Sequence, residues 1–324
     1  LDNSPPKFSR GRIPSGRIEG IVHVDLFRFI KTAYAPYLQS ETLGLNDIAS
    51  ELLGEEKDEF DFRLLNNQKE MSSDDWRSFF SYNLKDSKLT YELFKKIWPD
   101  ILEFSRVVKE PIFEINRYGM SANVENYILH NLKKYNEVEE KKPLPKEVSK
   151  RRSIGKWEGA FVFEPTPGLY ENLVFFDFTS MYTSVAVTYN LSLSSYREKK
   201  ERNTLEVDLG KSGKAYFTKE KEFFPDLLSE IMEMRKKYKK QYKQNPDNLL
   251  KARSNAFKLI ANAAYGYQGF FGARYYCREA ASSIAALAKK HIKEAIENIK
   301  KQCYDIVYSD TDSIAFLRGE KTQK

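Results

Sequence analysis

The stretch Ile306-Val307-Tyr308-Ser309-Asp310-Thr311-Asp312-Ser313-Ile314-Ala315-Phe316 decides how the rest of the chain is read. Apolar and aromatic residues run into a short polar segment and resume beyond it, which predicts two strands joined by a tight turn. That turn carries aspartates at i and i+2. Carboxylates held so close repel each other unless a cation lies between them. Alone, the pattern is also that of an ordinary polar turn, since Asp and Ser are turn formers. A second apolar strand, residues 171–178 (ENLVFFDF), ends at another aspartate, Asp177. Two strands of one sheet that deliver an Asp at the same end make an oxygen-ligand site, and Mg²⁺ takes such carboxylates while keeping waters and substrate phosphates.

Between these strands, two helical stretches at 225–244 and 247–267 are joined by Asn245-Pro246-Asp247. Pro246 stops the first and Asp247 can cap the second. So short a connection predicts an antiparallel hairpin. Lys258, Asn262 and Tyr265 share a face of the second helix, as do Arg235, Lys239 and Tyr242 on the first. These faces can converge on one anionic group. For most lysines of 235–243 a solvated face is the plainer account. Lys258, set among Phe257, Leu259, Ile260 and Ala261, either snorkels outward or serves a site. Carboxylates for Mg²⁺ and a basic helical wall for phosphates are the physical kit for phosphoryl transfer with two metal ions.

The remainder bounds this reading. The 324 residues carry a net charge of +7, which favours a polyanionic partner such as nucleic acid or an anionic membrane surface. Cys277 and Cys303 form no CxxC pair, and three scattered histidines exclude a conventional His/Cys zinc site. No apolar run is long enough to span a bilayer, and the first residues lack a signal peptide's apolar core, so the chain reads as intracellular. Residues 1–17 read as a loop, 20–30 as a strand, and 41–54 and 72–105 as helices, the latter with Leu84, Leu89, Leu93 and Ile97 on its apolar side. The charged, proline-containing 136–156 reads as a linker. A mixed segment runs to about 222, and a third long helix is expected at 277–301.

Asp177-Phe178-Thr179-Ser180-Met181-Tyr182-Thr183-Ser184 resembles the first palm motif of B-family DNA polymerases, D-x-x-S-L-Y-P-S. Lys258 to Gly266 resembles their fingers motif, K-x-x-x-N-S-x-Y-G, and Tyr308 to Ser313 their second palm motif, Y-G-D-T-D-S. All three occur in the family's order. Trp157-Glu158-Gly159-Ala160 is similar to the link before the palm that helps hold the template. Tyr82-Asn83-Leu84-Lys85-Asp86 is similar to the third exonuclease motif, Y-x-x-x-D, and 20–30 to a strand of that domain. Nearly the whole chain is covered, with an archaeal flavour.

The resemblance implies an α+β fold. A partial ribonuclease-H-like, 3′–5′ exonuclease-like region (1–135) and the linker (136–156) would precede a palm of antiparallel strands with helices (157–224 and 269–324), interrupted by a two-helix fingers hairpin (225–268). By the same resemblance, Asp177 and Asp310 would hold two Mg²⁺ ions, or Mn²⁺ in their place, helped by the Phe178 carbonyl, with Asp312 in support. Arg235 and Lys258 would grip the triphosphate of a dNTP and Asn262 would shape its pocket. Tyr182 would lie under the sugar and reject a 2′-hydroxyl, and Tyr265 would lie under the new base pair; ordinary core packing is the alternative for both rings. Gly159 and Ala160 would touch template. Tyr82 and Asp86 would be an exonuclease remnant, because the two other carboxylate motifs of that activity are missing, and no proofreading is expected from this chain alone.

Thr183 replaces the family's usual proline, Ser309 its glycine, and Ala263 a serine. Only eleven residues follow Ser313, so the thumb is expected to be absent and the chain to be a middle piece. That implies primer–template DNA and dNTPs as substrates, a complementary polypeptide supplying the thumb, and a sliding clamp reached through the missing C-terminal part. The competing readings are a non-catalytic DNA-binding or scaffold relative, which the presence of all three aspartates argues against, and a free-standing nuclease, which the absent carboxylates argue against.

Overall fold

The computed structural model describes residues 7–9, 15–155, 157, 159, 161–165 and 167–318. These form two compact units, one of Leu1–Met120 with Tyr238–Ala256, the other of Ser121–Lys237 with Phe257–Lys324.

The first unit opens with a two-stranded antiparallel ribbon, β1 (Lys7–Ser9) and β2 (Ser15–Arg17), followed by helices α1 (Leu26–Phe29), α2 (Leu45–Leu53), α3 (Ser73–Val108) and α4 (Ile112–Arg117). Residues 20–30 are not a strand. The β-branched and aromatic content is overridden by Asp25, whose carboxylate accepts from the Arg28 amide at 3.1 Å and caps α1. Buried Asn116 fixes the same residue from α4, accepting from the Asp25 amide at 2.7 Å and donating to its carbonyl at 3.0 Å.

α3 starts on a capping box. The Ser72 hydroxyl accepts from the Asp75 amide at 3.2 Å, and Asp75 accepts from the Ser72 amide at 2.8 Å. Its buried stripe is Leu89, Leu93, Ile97, Ile101, Phe104 and Val108, at helical spacing. Leu84, expected on that stripe, is instead exposed. Pro99 sits inside the helix, which costs about 3 kcal/mol. The stripe outweighs it, at roughly 1.5–3 kcal/mol per buried large aliphatic side chain. Fully buried Glu103 accepts from Arg106 and from Arg253, whose guanidinium also lies 5.2 Å from the Tyr238 ring centre.

In the second unit, α5 (Met120–Asn131) leads to α6 (Pro145–Ser153), so the stretch that reads as a linker contains a helix. Pro145 occupies its first turn, where a missing N–H costs nothing. Arg151 then donates to the carbonyls of Phe271 and Ala273 at 3.2 and 2.9 Å. Two sheets follow. One contains β3 (Val162–Phe163) and β4 (Leu173–Asp177), and α7 (Met181–Thr188) comes directly after β4. The other holds β5 (Tyr196–Arg197), β6 (Thr204–Asp208) and β7 (Lys214–Thr218) in the order β5-β7-β6. Its tight connection uses Gly210 and Gly213 at φ 61° and 85°, conformations only glycine takes freely.

α8 (Phe223–Gln244) and α9 (Asn248–Gln268) meet at 245–247, where the Asp247 carboxylate accepts from the Leu249 amide at 2.8 Å and caps α9. α10 (Arg278–Lys301) is capped by Cys277, whose sulfur accepts from the Ala280 amide at 3.3 Å. Its first half buries Ala280, Ala281, Ser282, Ser283 and Ala285, small side chains that let α7 pack close. β8 (Ile306–Asp310) and β9 (Ser313–Leu317) complete the larger sheet, all antiparallel in the order β3-β8-β9-β4, with α10 against it. β4 is an edge strand among the described residues, and Phe175 and Phe176 are more than half exposed.

Two stability effects are expected. Arg253→Ala leaves the Glu103 carboxylate buried with one cation fewer and is expected to cost about 3 kcal/mol in urea unfolding. Ser309 in β8 is fully buried and its hydroxyl has no hydrogen-bond partner among the described residues. Ser309→Ala is therefore expected to raise stability by about 1 kcal/mol, roughly 2 °C in Tm by calorimetry.

Candidate active site

The site is built on one register. Ser313, the first residue of β9, is paired with Asp310 of β8 on one side and with Asp177 of β4 on the other. Both flanking strands run antiparallel to β9, so they are parallel to each other and end at the same edge, each on an aspartate. With strands about 4.8 Å apart, the two backbones lie roughly 10 Å from one another at this level. Side chains of that length can reach toward a common centre.

Asp310 and Ser313 are joined by a two-residue turn in which Thr311 has φ 54°. A positive φ in the first turn position matches the twist of a hairpin, though it is strained for a β-branched residue. The strain is over-determined by its surroundings. The Thr311 amide donates to the Phe161 carbonyl at 3.1 Å, and the Phe178 amide donates to the Asp312 carbonyl at 2.8 Å. The Asp310 carboxylate accepts from the Thr311 hydroxyl at 2.8 Å and from the Tyr308 hydroxyl at 3.3 Å. Burial and the negative charges of Asp177 and Asp310 push the Asp312 carboxyl above the usual carboxylate range, against an opposing backbone hydrogen bond. The three acids therefore share one negative field.

From Asp177 the chain turns through Ser180, itself left-handed at φ 50°, into α7. Tyr182 is thereby set facing Tyr265 of α9, with ring centres 4.3 Å apart and planes inclined by 4°. Burial, the Tyr265 ring, and the charges of Asp312 and Asp310 push the Tyr182 hydroxyl up to about 12, so it stays neutral. The Tyr265 hydroxyl accepts from the Trp157 indole N–H at 3.2 Å. Trp157 in turn lies over Gly269, where an added Cβ would stand 2.0 Å from the indole ring. Arg235 donates to the Ser180 hydroxyl at 2.6 Å, and the buried Thr183 hydroxyl donates to the Ala261 carbonyl at 2.9 Å. Lys258 is half-buried and Asn262 exposed, on the same face of α9 as Tyr265.

Asp177, Phe178, Asp310 and Asp312 are thus assembled at one sheet edge. Tyr182 and Tyr265 meet, and Arg235 reaches the turn after Asp177. Gly159 lines a cleft of about 650 Å³ with Trp157, Leu209, Lys211, Ser282 and Lys289, whereas Ala160 lies outside the described residues. Tyr82 and Asp86 are in the first unit. There Lys57 donates to the Tyr82 hydroxyl at 2.6 Å and pairs with Asp86 at 2.8 Å. Among the described residues, no group of three or more His, Cys, Asp or Glu side chains is gathered to hold a metal, and no helix is long and apolar enough to cross a membrane.

Ser180, Gly269 and Lys57 were not legible as site residues. Ser180 is only a motif letter without its Arg235 partner, Gly269 is an ordinary loop letter until Trp157 is placed over it, and Lys57 is one of many lysines.

The chain is similar to proteins of one known family. The profile of DNA polymerase family B matches residues 111–323. DNA polymerase 1 of Pyrococcus abyssi (strain GE5 / Orsay) is 31% identical over 330 residues, covering 100% of this chain and 42% of the relative. The DNA polymerase of Thermococcus sp. (strain 9oN-7) is 30% identical over 320 residues, covering 97% and 40%. The structure of the family B DNA polymerase from the hyperthermophilic archaeon Pyrobaculum calidifontis aligns with a TM-score of 0.76 at 26% identity, over 97% of this chain and 41% of that one. The chain spans about two fifths of the length of these relatives. With a profile match across most of its length and three aspartates gathered at the ends of its sheet strands, the chain belongs to DNA polymerase family B.

Proposed function

We propose that this chain carries the nucleotidyl-transfer centre of a template-directed DNA polymerase, joining a dNTP to a primer 3′-hydroxyl. The observation that carries the reading is the pairing of Ser313 with Asp310 and Asp177, which brings two carboxylates to the same end of one sheet. Hard oxygen donors in a shared negative field suit Mg²⁺, or Mn²⁺ in its place, and the raised Asp312 carboxyl is the sign of that field. Asp177 and Asp310, with the Phe178 carbonyl, would hold two such ions. When bound, they would activate the attacking hydroxyl and neutralise the triphosphate.

The chain's own groups do the rest. Lys258, and Arg235 once turned from Ser180, present positive charge to the phosphates. Asn262, one turn beyond Lys258, borders the nucleotide. Tyr182 closes the sugar's floor, so a 2′-hydroxyl would overlap its ring. Gly159 leaves backbone accessible in a cleft with lysines on its walls, suited to a template phosphate. Asp86, neutralised by Lys57, serves structure rather than proofreading in this reading.

Primer extension tests it, with Mg²⁺ and dNTPs, on this chain with and without the remaining segments that its relatives possess. Asp310→Asn is expected to lower kcat at least a thousandfold, about 4 kcal/mol in barrier, while duplex binding measured by anisotropy is unchanged. Full-rate extension by that variant would refute the metal assignment. Tyr182→Ala is expected to keep dNTP incorporation and to weaken discrimination against ribonucleotides roughly a hundredfold, as read from kcat/KM ratios.

A further inference from the structure

Thr183 lies between Tyr182 and Ser184 in α7 and is only 3% exposed. A threonine hydroxyl in a helix ordinarily bonds back to a carbonyl of the preceding turn. Its neighbour Ser184 does so, donating to the Thr179 carbonyl at 3.0 Å. Thr183 does not. Its hydroxyl crosses to α9 and donates to the Ala261 carbonyl at 2.9 Å. By α-helical geometry that carbonyl also receives the amide of residue 265. One oxygen therefore joins the residue next to Tyr182 with the backbone of Tyr265, in parallel with the stacked rings 4.3 Å apart. Two rings alone can slide over each other. A directional hydrogen bond beside them ties α7 to α9 at this level and limits that sliding. The proline that usually follows this tyrosine in the family has no donor, so the tether is a feature of this chain.

We propose that Thr183 is a positioning residue that sets sugar discrimination: its hydroxyl, bonded to the Ala261 carbonyl, holds Tyr182 against Tyr265 and so fixes the space open to a 2′-hydroxyl. The inference rests on the polymerase reading, with Tyr182 under the sugar. It adds a group that never touches the nucleotide and acts through the ring beside it.

The test pairs two near-isosteric replacements. Thr183→Val keeps the shape and removes the donor, whereas Thr183→Ser keeps the donor and removes a methyl group. Single-nucleotide incorporation of dATP and of ATP opposite a template thymine is measured for the wild type and both variants, in Mg²⁺, in the complete polymerase assembly. The valine variant is expected to show a KM for dATP raised about fivefold with kcat within twofold, and a dATP-over-ATP preference at least tenfold lower. The serine variant is expected to stay within twofold of wild type in both. If valine prevents folding, Thr183→Ala supplies the donor-free comparison. Valine or alanine selectivity equal to wild type, or serine selectivity as poor as valine, overturns the tether and leaves the polymerase reading standing. A wild type that incorporates neither nucleotide overturns that reading and the tether with it.

Discussion

The candidate site hangs on the pairing of Ser313 with two strands at once. A strand pair has a side-chain period of two, so a slip of one residue in either ladder would turn an aspartate to the other face of the sheet. The register is protected from both directions. The two-residue turn fixes Asp310 against Ser313, and the Phe178 amide, bonded to the Asp312 carbonyl, fixes the chain leaving Asp177. α10 packs against β8 and β9, and the small side chains of its first half let α7 approach closely.

The same corner of the candidate site carries conformational and electrostatic costs. Ser180 and Thr311 are both left-handed without being glycine, one in each turn that follows a strand-ending aspartate. Residues in such conformations persist only where their surroundings over-determine them. Here the determinants are visible: Arg235 on the Ser180 hydroxyl, and the Phe161 carbonyl on the Thr311 amide. The raised Asp312 carboxyl belongs to the same pattern, in which like charges are kept together at the expense of stability.

Much of this was legible beforehand, for local reasons. The long helices announce themselves through periodicity, and Asp247 caps α9 within one turn of where it stands. The hairpin carrying Asp310 was equally readable, since its signal is contained in eleven letters. What escaped depends on partners far away in sequence. Residues 20–30 look like a strand until Asn116, ninety-one positions on, fixes Asp25 as a cap. The sheet of β5, β6 and β7 hides in a charged segment because its strands mix charged residues such as Glu206, Asp208 and Lys214 with apolar ones, although Gly210 and Gly213 mark its turn. Thr183 was visible only as a departure from a motif. Its meaning comes from a carbonyl seventy-eight residues later.

The cap on α10 has a consequence for handling the protein. Cys277 is buried, its sulfur takes the Ala280 amide, and burial pushes the thiol up to about 12. Near neutral pH it holds its proton and presents no nucleophile. Cys303, the only other cysteine in the sequence, is exposed just ahead of β8. A maleimide dye would therefore settle on a single atom, a few residues upstream of the strand that delivers Asp310, with no cysteine needing to be engineered away.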